Sequence, residues 1–159
     1  MKIKEKVFVT NNFEETQKLG ENFARSLLAS PQGETSNVIT LYGELGSGKT
    51  TFVQGLAAGL GIKNRIISPT FIIVRSYKLR IKDKGLMIND FYHIDLYRVE
   101  SERDLEGLGI EEIVNNKNNI VVIEWAEKLK KYLPQKRIDI KFSYEKDNIR
   151  KIMFGSSNQ

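Results

Sequence analysis

The 159-residue chain has no cysteine, one histidine, one tryptophan and three prolines. Without cysteine there is no disulfide and no thiolate metal site, and one imidazole cannot build a histidine-rich zinc centre. This agrees with a reducing cytoplasm, the expected location. No apolar run approaches the roughly 18 residues a membrane span requires, so no membrane association is expected. The opening Met1-Lys2-Ile3-Lys4-Glu5-Lys6 leads into no apolar core of the signal-peptide kind.

What remains describes one ordinary folded domain over residues 1–159: hydrophobic residues are 40% and charged residues 28% of the chain, neither a disordered nor a repeat composition. The net charge of +5 invites an acidic or nucleic-acid partner. The basic residues between Lys63 and Lys84, however, are scattered rather than gathered in a block.

Gly43-Glu44-Leu45-Gly46-Ser47-Gly48-Lys49-Thr50, followed by Thr51, fits the phosphate-loop pattern of glycine, four residues and Gly-Lys-Thr. By composition alone the pattern arises in roughly one chain in a hundred of this size. Its flanks are the required ones. Val38 to Tyr42 is an apolar, β-branched run that predicts a buried strand, and Thr51 to Leu60 has helical apolar spacing. Glycines let the backbone approach an anion, and the amides of Gly46 to Thr50 converge at a helix N-terminus that favours negative charge. Lys49 is a flexible cation for β- and γ-phosphates, and the Thr50 hydroxyl suits Mg²⁺.

Before the loop, Lys6 to Thr10 predicts a strand, and Asn11 or Asn12 caps a helix with Phe13, Leu19, Phe23, Leu27 and Leu28 on its apolar face. Ser30 to Glu34 forms a polar turn. After the loop, Phe71 to Leu79 predicts a strand that Lys82-Asp83-Lys84-Gly85 reverses into a second arm running through Phe91 to Arg98. Ser101 caps a further helix, and a helical turn covers Ile110 to Val114. Ile120 to Ile123 is the most apolar strand and delivers Glu124-Trp125 at its end. Strands over Arg137 to Tyr144 and Ile149 to Phe154 close the fold, and the tail 155–159 is expected to be disordered. These elements predict a single-domain α/β phosphate-loop NTPase-like fold: a mostly parallel central sheet flanked by helices, with antiparallel edge strands. Ligands of such sheets sit at the carboxyl ends of the strands.

An acid after four apolar strand residues is the arrangement that reaches a nucleotide-bound Mg²⁺, which makes Glu124 a candidate metal ligand with Thr50. Asp95, within His93-Ile94-Asp95-Leu96-Tyr97-Arg98, has two readings: a solvent-facing residue of an edge strand, or part of a switch-like segment that holds water near the γ-phosphate. His93 reads as structural. Trp125 reads as packing or cleft lining, and Thr70 is a candidate γ-phosphate sensor.

The combination of the loop through Phe52, Ser68-Pro69-Thr70-Phe71, Tyr92 to Arg98, Gly107 to Glu112 and Ile123-Glu124-Trp125-Ala126-Glu127 resembles the TsaE (YjeE) family, over about residues 10 to 145. These are small ATPases of bacterial tRNA threonylcarbamoyladenosine synthesis. The resemblance implies ATP and Mg²⁺ as cofactors, Lys49, Asp95 and Glu124 as catalytic residues, and Thr50 and Glu124 at the metal. It implies nucleotide contacts from Glu44, Leu45, Gly46, Ser47, Gly48, Lys49, Thr50, Thr51 and Trp125. It also places Asn12, Phe13 and Arg150 around the base and ribose. TsaD and TsaB are the implied partners in forming N6-threonylcarbamoyladenosine at tRNA position 37. Any contact with tRNA is expected to be weak or indirect, and threonylcarbamoyl transfer is not assigned to this chain. The lysine-rich turn Lys82 to Lys84 departs from the family pattern.

Three other classes fit less well. A phosphate-loop kinase for a small metabolite needs clustered lid arginines and an acceptor-binding acid, and no segment clearly supplies both. A GTPase needs a guanine-reading acid, which Asn116-Lys117-Asn118-Asn119 lacks. A dinucleotide fold needs a third glycine that Gly46-Ser47-Gly48 does not have.

Overall fold

Strand β5 (Asn119–Glu124) is buried at every position, which is why its sequence is a continuous apolar run rather than an alternating one. It lies at the centre of a seven-stranded sheet of order β1-β7-β6-β2-β5-β4-β3. The structure is a computed structural model and describes residues 4–30, 36–67, 72–79, 81 and 88–157. Its other strands are β1 (Lys6–Thr10), β2 (Val38–Tyr42), β3 (Val74–Lys78), β4 (Asp90–Asp95), β6 (Arg137–Tyr144) and β7 (Arg150–Ser157). Strands β4, β5, β2 and β6 run parallel. The pairs β3–β4, β6–β7 and β1–β7 are antiparallel. The expected architecture is therefore observed, edges included.

Helices α1 (Phe13–Ala29) and α2 (Lys49–Gly59) cover one face. The Asn12 side chain caps α1 by accepting from the Glu15 amide at 2.8 Å, and Glu14 and Glu15 complement the positive end of the helix dipole. The two helices touch backbone to backbone. A Cβ on Gly55 would lie 1.9 Å from the Gln17 carbonyl oxygen, and one on Gly20 would lie 2.3 Å from that of Phe52. Beneath them Phe23, Phe52, Phe142 and Phe154 pack ring against ring. The other face is covered by short pieces: α3 (Ile110–Asn115) and two 3-10 segments, Glu102–Leu105 and Ala126–Tyr132.

Two expectations need correction, and one element was not expected. The helix after Ser101 is a single 3-10 turn, which Asp104 stitches by accepting from the amides of Glu100 and Ser101 at 2.9 and 3.1 Å. The segment Ala126–Tyr132 has helical turns that the sequence reading did not anticipate. The tail does not fray after Phe154: Gly155, Ser156 and Ser157 continue β7 and pair with Asp139, Ile138 and Arg137, so their backbone groups are satisfied by the sheet. The turns at 31–35 and 82–85, the segment 68–71 with Thr70, and residues 158–159 lie outside the described residues.

Candidate functional site

Strand β2 ends at Tyr42, and the loop that follows turns on Gly43, Gly46 and Gly48, all at positive φ. Gly48 is the left-handed residue from which α2 springs, a conformation costly for any side chain with a Cβ. The loop thus presents its amides at the first turn of a buried helix. Ser47 is buried beneath it, and its Oγ meets no partner. The Lys49 ammonium folds back on the loop, donating to the carbonyl of Gly43 and, at 3.0 Å, to that of Glu44. It also lies 4.4 Å from the centre of the Trp125 ring. Burial pulls the Lys49 pKa below the ordinary lysine value, and Glu124, Glu127, Asp95 and Glu44 oppose that shift.

Both candidate acids stand at carboxyl ends of neighbouring parallel strands, Asp95 on β4 directly opposite Glu124 on β5. The register brings them together from 29 residues apart in sequence. Thr50 Oγ1 donates to Glu124 Oε1 at 2.9 Å, and His93 Nε2 lies 2.6 Å from Glu124 Oε2. Asp95 Oδ1 accepts from the Tyr97 amide at 3.0 Å and so shapes the turn after β4. One of the two readings of Asp95 is excluded: it is 8% exposed and lines the cavity, so it is not a solvent-facing edge residue.

A cavity of about 500 Å³ joins these groups. Of the expected residues, Asn12, Phe13, Leu45, Gly46, Gly48, Lys49, Thr50, Thr51, Asp95, Glu124, Trp125 and Arg150 line it. Glu44 and Ser47 do not: Glu44 contributes its carbonyl to the loop, accepting the Ser47 amide at 3.1 Å, and Ser47 packs below. Arg150 reaches across from β7, donating to the Gly46 carbonyl at 3.2 Å and stacking 4.3 Å from the Tyr144 ring. Its Nη1 is buried without a partner.

Thr16, Tyr97 and Asn148 also line the cavity and were missed as site residues. Tyr97 was within reach of sequence reasoning, because it shares the segment of Asp95. Thr16 and Asn148 carried no signal of their own. Trp125 holds φ +58, unusual for a bulky residue, with its ring 5.2 Å from that of Tyr97.

These residues fit a magnesium nucleotide. The loop ends at the N-terminus of α2, and beside it Arg150 Nη1 is a buried donor without an acceptor among the described residues. The metal-side donors, one hydroxyl and one carboxylate, suit a hard cation that takes its remaining oxygens from phosphate and water. Among the described residues no cluster of three His, Asp or Glu side chains forms a cage that would hold a metal without the nucleotide. No helix among them is long and apolar enough to cross a membrane.

Comparison with known proteins gives a consistent picture. The family model described as "Threonylcarbamoyl adenosine biosynthesis protein TsaE" matches residues 10–152. The tRNA threonylcarbamoyladenosine biosynthesis protein TsaE of Bacillus subtilis is 37% identical over 145 residues, 91% of this chain and 82% of that one. Its counterpart in Haemophilus influenzae is 36% identical over 130 residues, 82% of this chain and 77% of that one. The crystal structure of Bacillus subtilis YdiB superposes with a TM-score of 0.69 at 32% identity, covering 99% of this chain and 88% of that one.

Proposed function

This chain belongs to the TsaE family, and from that premise we propose that it binds Mg²⁺-ATP and hydrolyses it in support of a TsaB–TsaD complex that forms N6-threonylcarbamoyladenosine at tRNA position 37. The observation that carries this reading is the closure of three distant segments on one cavity: the 43–51 loop, Asp95 and Glu124. In this reading the loop amides hold the β- and γ-phosphates, and Lys49 leaves its two carbonyls to pair with them. Thr50 and Glu124 would hold Mg²⁺, which supplies charge screening on the phosphates. Asp95 orients the attacking water from the adjacent strand end. Trp125 and Tyr97 close the wall beside it, and Asn12, Phe13 and Arg150 form the opposite end for base and ribose.

No observation specifically favours the small-metabolite kinase. The loop, Asp95 and Glu124 share a single cavity, and slow turnover by the isolated protein is the corresponding expectation. The test is ATP hydrolysis by the purified chain with and without purified TsaB–TsaD. Stimulation by the pair supports the reading, and a rate indifferent to them refutes the assembly role. Phosphate transfer from ATP to a small-metabolite acceptor would replace it with the kinase.

A further inference from the structure

Glu124 is gripped through both carboxylate oxygens. Thr50 holds Oε1 at 2.9 Å, and His93 lies 2.6 Å from Oε2. The His93 and Glu124 side chains are 0% and 2% exposed, so water does not compete for this contact. A carboxylate only accepts, so the ring donates from Nε2. Its other nitrogen, Nδ1, is buried and meets no partner among the described residues, so the imidazole serves none of their backbone groups and its polar contact there is Glu124. An unmet buried polar atom is destabilising, which sets this histidine apart from a ring placed for packing alone. The register explains the reach. His93 stands opposite Val122 and Asp95 opposite Glu124 on parallel strands, so all four side chains share the sheet face that meets the first turn of α2.

We infer that His93 is a positioning residue for the metal-side carboxylate. Its Nε2–H fixes the rotamer of Glu124 so that Oε1 faces Thr50 and the metal position. A glutamate at a strand end has three rotatable bonds, and Thr50 alone leaves the second oxygen free to swing. The inference rests on the Mg²⁺-ATP reading above.

The experiment is equilibrium titration of the purified chain with a fluorescent ATP analogue carrying a methylanthraniloyl group, in excess Mg²⁺ and again in EDTA. The readout is the dissociation constant in EDTA divided by that in Mg²⁺. His93→Leu lowers that ratio by about 10-fold or more, the usual consequence of losing a partner that orients a metal ligand, while affinity in EDTA stays within about twofold. His93→Gln places an amide donor the same number of bonds from Cα and restores most of the ratio. An unchanged ratio in His93→Leu, or equal losses in the Leu and Gln variants, overturns the inference. Should His93→Leu lack a cooperative melting transition, His93→Asn, whose amide is one bond too short, takes its place against Gln with the same two outcomes. A wild-type ratio of one instead removes the Mg²⁺ reading itself, so the two failures are told apart.

Discussion

One wall of the cavity, the 43–51 loop with α2, stands on a pair of long helices locked by glycine contacts and a cluster of phenylalanine rings. The facing wall, through Asp95, Tyr97 and Trp125, stands on turns. Its support comes from a six-residue helix, two 3-10 segments and single side-chain ties such as Lys128 to the Tyr97 carbonyl. Local stability follows the density of buried contacts, so the loop wall is the stiff half and the Asp95–Trp125 wall the adjustable half. That division would suit the proposed ATP cycle, with phosphate held on a fixed frame and the responding side cheap to move.

The largest effect expected is on the stiff wall. Gly55→Ala drives a methyl group into the Gln17 carbonyl, 1.9 Å away before relaxation. Forced separation of α1 from α2 costs about 3 kcal/mol, which lowers the melting midpoint by roughly 10 °C in a chain of this size. A midpoint within experimental error of wild type would show that the helix pair is looser than its glycines imply.

Lys49→Ala comes next and leaves the frame standing. It removes the proposed charge-assisted contact to phosphate and weakens nucleotide binding by roughly 100-fold, with little change in melting because the Lys49 ammonium contacts loop carbonyls and the cavity-lining Trp125 ring rather than the core. Titration with a fluorescent nucleotide checks it. Glu124→Ala acts from the other wall: Mg²⁺-supported hydrolysis falls by roughly 10- to 100-fold while Mg²⁺-free binding changes far less. Equal losses in both measurements would count against a metal role.

The two walls also differed in how far the sequence disclosed them. The loop, β2 and α2 are legible because their signals are local: glycine spacing, an apolar run and helical periodicity all lie between Val38 and Leu60. Glu124 was legible from its own strand. The His93–Glu124 contact was not, because it depends on β4 lying beside β5 in one particular register. Nor were Gly20 and Gly55 readable as helix contacts, since each is interpretable only once the facing helix is known. The tail strand was hidden for the same reason. Gly155-Ser156-Ser157 has the composition of a frayed end, and only the open edge of β6 turns it into a strand.

Lys128→Ala gives the smallest effect and sharpens the contrast most. Lys128 is half-buried, and its solvent-facing ammonium lies 2.5 Å from the Tyr97 carbonyl oxygen and 5.8 Å from the Tyr97 and Trp125 rings. An exposed contact of this kind contributes about 0.5 kcal/mol or less to global stability, so the melting midpoint should move by only about 1–2 °C. On the adjustable wall, however, it ties the turn after Asp95 to the segment carrying Trp125 at the solvent side, beside the Tyr97–Trp125 ring contact. Its loss should therefore appear as faster amide exchange at Tyr97 to Val99 and altered emission from Trp125, the chain's one tryptophan. The amides of Phe52 to Ala57 on α2 should keep their protection. If exchange rises equally on both sides, the walls are a single cooperative unit, and the proposed division between frame and switch does not exist.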